Sequence, residues 1–77
     1  MPKVLRVGRY RFYFYSNEGH EPAHIHVKAN DEQAKFWLNP ITLEANYGFK
    51  AHELNAIAAI IREHQPEFLE AWNEHLG

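Results

Sequence analysis

The sequence predicts an α+β fold, an antiparallel sheet of four to five strands with two C-terminal helices packed on one face, and two observations carry it. Apolar residues recur at every second position from Lys3 to Ala45, the period of a strand, and at every third or fourth from Ala51 onward, the period of a helix. Turn-forming residues punctuate the first part at short intervals, whereas the second is interrupted only at Gln65-Pro66. At 77 residues the chain is near the lower limit of what folds alone, so a single domain over 1–77 with one core is expected.

Leu5 and Val7, then Tyr10, Phe12 and Phe14, alternate with Arg6, Arg11, Tyr13 and Tyr15 on either side of Gly8-Arg9, the signature of a two-residue hairpin with glycine first. Turn residues fill Ser16 to Pro22, and Ala23 to Ala29 alternates again as a third strand. Asn30-Asp31-Glu32 reads as a turn. Ala34, Phe36 and Leu38 then face one way, with Lys35 and Trp37 facing the other, in a fourth strand that ends at Asn39-Pro40. Ile41, Leu43 and Ala45 alternate with Thr42, Glu44 and Asn46 in a short fifth strand. Leu54, Ile57, Ala58 and Ile61 form a helical stripe, with Phe49 placed to staple Leu54 and Glu53 at the third helical position of a capping box whose cap, Lys50, is a poor one. Pro66 is expected to start a second helix carrying Phe68, Leu69, Trp72 and Leu76.

Composition narrows the function classes. The chain is 45% hydrophobic and 14% aromatic and has no cysteine, so disulfides and thiolate metal sites are excluded. No apolar run suits a membrane span and the N-terminus lacks a signal-peptide pattern, so a soluble, cytoplasmic protein is expected. The net charge of −2 divides unevenly: residues 1–29 carry +3 and residues 30–77 carry −5.

Alternation places Leu5, Val7, Tyr10, Phe12, Phe14, Ile25, Val27, Phe36, Leu38, Ile41 and Leu43 beneath the helices. The opposite, outward face then collects Arg6, Arg11, Tyr13, Tyr15, His24, His26, Lys28, Lys35 and Trp37, which are the candidate binding residues. Closing the hairpin with Val7 and Tyr10 sets Arg6 directly opposite Arg11, an unfavourable pairing of like charges. Either a carboxylate of the chain (Glu18, Glu21 or Glu44) or an external anion must compensate it.

His24 and His26 project from one strand, with His20 in the preceding loop. Neutral imidazoles in this arrangement begin many transition-metal sites, so a divalent metal such as zinc is a candidate cofactor with His20, His24 and His26 as candidate ligands, although the spacing supplies no secure third ligand. The same pair could serve as acid and base in phosphoryl chemistry, His24 and His26 being the catalytic candidates. The plainer reading has both rings packing against Tyr13, Tyr15 and Trp37 as ordinary sheet residues. His52, His64 and His75 fall at helical positions and carry no chemistry in this reading.

Taken together, the run from Tyr10 to Val27, then Ala34 to Leu38, Asn46-Tyr47-Gly48-Phe49 and Ala71-Trp72-Asn73-Glu74, resembles the bacterial domain-of-unknown-function 4160 family over nearly the whole chain. The resemblance implies no activity. It implies a small protein often encoded beside another short protein, and hence a paired, toxin–antitoxin-like or regulatory module.

Three uses of the outward face follow. As a binding module it would contact a small acidic protein partner, with Tyr13, Tyr15 and Trp37 as anchors and Arg6, Arg11 and Lys28 as charge complements. As a nucleic-acid platform it would stack single-stranded bases on its aromatics. As a nuclease or phosphodiesterase it would use His24 and His26, with Arg6 or Arg11 steadying phosphate. A homodimer interface is a further use of an exposed aromatic face.

Overall fold

The computed structural model describes residues 3–15 and 19–76. Five strands, β1 (Lys3–Val7), β2 (Tyr10–Tyr13), β3 (His24–Ala29), β4 (Glu32–Leu38) and β5 (Ile41–Tyr47), pair antiparallel in sequence order, and one helix, α1 (Ala51–Leu76), follows. Gly8, at a φ of 58°, opens the two-residue turn that sets Val7 opposite Tyr10 and Arg6 opposite Arg11, the pairing the hairpin reading requires. Asn30, with φ at 54°, turns β3 into β4, so Glu32 belongs to β4 rather than to the turn. A cis peptide at Asn39-Pro40 lies in the turn that pairs Leu38 with Ile41.

The helix packs on the face that carries Phe12, Ile25, Val27, Ala34, Phe36 and Leu38, and adds Ile57, Ile61, Phe68 and Trp72 to the same buried cluster. The two helices expected from Pro66 are one. Proline inside a helix loses one backbone hydrogen bond and costs about 3 kcal/mol, yet Leu54, Ile57, Ile61, Phe68 and Trp72 keep a single phase across it, so ending the helix there would forfeit half of its apolar stripe. Pro66 itself faces solvent, and the neighbouring Gln65, in line with the stripe, donates through Nε2 to the Leu38 carbonyl at the end of β4.

Strand β5 also departs from simple alternation. Phe36 pairs with Leu43 but Lys35 pairs with Ala45, so Glu44 is an extra, bulged residue. Leu43 therefore stays in register with Phe36 of the core row, but on this edge strand it is 42% exposed rather than buried beneath the helix as expected, while Ala45, expected beside it, moves to the outward face. At the exit from β5 the Asn46 side chain clips the corner, its Oδ1 accepting from the Phe49 N–H at 3.0 Å and its Nδ2 donating to the Phe49 carbonyl at 2.9 Å. Phe49 is thereby held in the core. Gly48, with φ at 105°, passes so close to Glu32 that an added Cβ would sit 3.1 Å from its Cγ. Half of the expected capping box is present: Glu53 Oε1 accepts from the Lys50 N–H at 3.3 Å.

A candidate binding face

The register places the outward side chains in rows across the strands. One row runs Arg6, Arg11, Lys28, Gln33 and Tyr47, and the next runs Tyr13, His26, Lys35 and Ala45. His24, Trp37 and Thr42 form a third.

In the first row, Arg6 and Arg11 are exposed and Lys28 is half-buried. The carboxylates that could have answered them are engaged elsewhere: Glu21 Oε1 lies 2.7 Å from Lys35 Nζ, and Glu44 Oε2 accepts from Trp37 Nε1 at 3.0 Å. Glu18, the third candidate, lies outside the described residues. Among the described residues no ion pair involves Arg6, Arg11 or Lys28. Three cations thus stand side by side on adjacent strands, spaced about 4.8 Å apart at the backbone, and the row ends in Tyr47, which is 68% exposed.

The histidine end is packed. His24, expected to project outward, is fully buried. Its ring meets Trp37 at 5.7 Å and His26 at 5.2 Å on the sheet side, and Trp72 of α1 at 4.7 Å. The cause is the length of α1: twenty-six helical residues outrun strands of four to seven, so Trp72 reaches the sheet end, where it also meets Phe14. His24 Nδ1 lies 3.0 Å from the Pro22 carbonyl; because a carbonyl only accepts, this nitrogen carries the proton. His26 is half-buried, stacked on Tyr13 at 5.4 Å and met edge-on by Tyr15 at 5.0 Å. Tyr13 is buried, while Tyr15 is 40% exposed. Lys35 also lies over the Trp37 ring, at 4.8 Å. His20 points its Nε2 towards Glu21 at 3.7 Å. Among the described residues no group of three histidine, aspartate or glutamate side chains is placed to hold a metal. No helix among them is long and apolar enough to cross a membrane.

Between these ends the bulge leaves a depression of about 200 Å³ lined by Tyr15, His26, Gln33, Lys35, Ala45 and Tyr47. At the hairpin tip Arg9 behaves unlike its neighbours in the row, bridging Glu32 at 3.2 Å and Glu53. Those two carboxylates, Glu32 first, raise the Arg9 guanidinium above its ordinary pKa. The Lys50 backbone N–H, and after it Arg9, hold the Glu53 carboxyl below its ordinary 4.5.

The model of the family described as Domain of unknown function (DUF4160) matches residues 10–73. The chain belongs to this family. No curated protein and no solved structure matches it. In this DUF4160 domain the matched span holds β2 to β5 and most of α1, and therefore every residue of the outward rows except those on β1. Sequence reasoning overlooked Gln33, Ala45 and Tyr47. Gln33 could have been found by continuing the alternation of β4 by one residue, but Ala45 and Tyr47 could not: simple alternation along β5 sends both beneath the helix, and the bulge that turns them outward leaves no mark in the hydrophobic pattern.

Proposed function

We propose that the outward sheet face is the docking surface for a small acidic protein, making this domain a protein-binding or regulatory module. The observation that carries the reading is the row Arg6, Arg11 and Lys28, which meets no carboxylate among the described residues while acids nearby are spent on Lys35, Trp37 and Arg9. Like charges opposed across a strand pair are unfavourable, and an acidic partner turns that liability into attraction and faster encounter. Tyr47 at the end of the row and Tyr15 beyond it, both lining the depression, offer aromatic surface where the buried Tyr13 and the hydrogen-bonded Trp37 do not, and arginine with tyrosine is the composition of interface hot spots. The acids of α1 (Glu63, Glu67, Glu70 and Glu74) are all exposed on the helix that covers the opposite face, so the net charge of −2 does not describe the face itself.

Native mass spectrometry of the tagged protein isolated gently from its producing cells tests the reading, with Arg6→Glu/Arg11→Glu as the control. Wild type should carry a stoichiometric acidic protein that the folded double variant lacks. A double variant that retains the partner at full occupancy overturns the proposal.

The acid–base reading of His24 and His26 gains no support from this arrangement, since His24 is fully buried under Trp72 and only His26 borders the surface depression.

A further inference from the structure

Resting on that reading, we propose that the depression beside the cation row is an anchor pocket for one large apolar side chain, so that the recognised partner segment is an extended acidic strand with a single phenylalanine-like or leucine-like residue at its centre. The pocket's volume of about 200 Å³ is below the several hundred Å³ usual for drug-sized ligands. It suits one side chain. Its lining includes Ala45, turned outward by the bulge at Glu44, together with Tyr15 and Tyr47. The cation in its lining, Lys35, is already neutralised by Glu21 at 2.7 Å, so the pocket offers an apolar body more than an anion a place.

Charge recognition belongs to the adjoining row. Gln33, on the pocket rim, pairs with Lys28, which pairs with Arg11, which pairs with Arg6. At about 4.8 Å per strand the three cations extend from the pocket to roughly 14 Å away. A peptide laid across the strands places alternate side chains about 7 Å apart. Acidic residues two and four positions from the anchor therefore fall over Lys28 and over the two arginines. The small residue at position 45 is what makes an anchor fit.

The test uses the whole chain and two blocked nonapeptides titrated by NMR at low salt, Glu-Ser-Glu-Ser-Phe-Ser-Glu-Ser-Glu and the same peptide with serine at its centre; the symmetry removes any dependence on chain direction. Wild type should bind the phenylalanine peptide on the order of tenfold more tightly, about 1.4 kcal/mol. Ala45→Leu, which fills the pocket, should erase that preference and leave serine-peptide binding in place. Tyr47→Ala, at a residue too exposed to carry the fold, should reduce the preference as well. Arg6→Glu/Arg11→Glu should weaken both peptides.

Equal binding of both peptides by wild type, or an undiminished preference in Ala45→Leu and Tyr47→Ala, overturns the anchor pocket and leaves the docking face standing. Binding of neither peptide overturns both. So does a single-stranded oligothymidine that shifts the resonances of Tyr15, His26 and Tyr47 while the peptides do not.

Discussion

The two ends of the outward face treat polar residues in opposite ways. At the histidine end each has a partner within the chain: His24 donates to Pro22 and is covered by Trp72, Lys35 is held by Glu21, and Trp37 donates to Glu44. At the arginine end Arg6, Arg11 and Lys28 share a row with no carboxylate bound to them among the described residues. Histidine and tryptophan are the residues a reader of sequence singles out first, yet here they are largely committed to the fold. The arginines, which look like ordinary surface, are the groups that no carboxylate among the described residues answers. Availability is decided by what surrounds a side chain, not by its chemical type.

The sharpest way to break this comparison is at His24. If the histidine end is structural, His24→Ala should lower stability by about 2–4 kcal/mol, because it leaves a cavity against Trp72 and Trp37. Urea denaturation measures this, and a loss below half a kcal/mol would show that the ring is not packed as described. Glu21→Ala should cost less, about 0.5–1.5 kcal/mol, since it strips a largely buried Lys35 of its partner and removes a neighbour 3.8 Å from His24.

Arg11→Glu tests the other end and should carry the opposite sign. Replacing the like pair with Arg6 by an attractive one should raise stability by a few tenths of a kcal/mol while partner binding is lost. A destabilised variant would mean that Arg11 has a structural role in the sheet. A stabilising substitution that abolishes binding is hard to reconcile with anything but a functional arginine.

The smallest effect lies at the hairpin tip, where exposed Arg9 is paired. The Glu53 carboxyl titrates below its ordinary 4.5 in the folded chain, so the stability it contributes is present above that value and is lost as pH falls through the lower folded one. Between neutral pH and about pH 5, wild type and Glu53→Gln should therefore differ by a constant amount. Below that the two curves should converge, as thermal melts across the pH series will show.

Much of the architecture was legible because strand alternation, turn chemistry and helical spacing are local properties. Gly8-Arg9 marks a two-residue turn in the residues themselves, Asn30-Asp31-Glu32 marks the next turn one residue too long, Asn39-Pro40 marks the end of β4, and the alternating segments assign most side chains to a face. From that followed the arginine pair and the membership of most outward rows. The match to residues 10–73 agrees with the resemblance carried by the same segments.

What the sequence by itself determined, then, is the sheet, its register at the first hairpin and the chemical character of its two faces, since each depends on neighbours within a few positions. Tertiary structure alone decided three further points. Helix α1 runs through Pro66 because burying a continuous stripe from Leu54 to Trp72 outweighs the cost of one proline. His24 is buried because that uninterrupted helix carries Trp72 to the sheet end. Ala45 faces outward because a bulge at Glu44 shifts β5 against β4. All three turn on contacts between residues far apart in the chain, whose energies exceed the local preferences that a sequence displays.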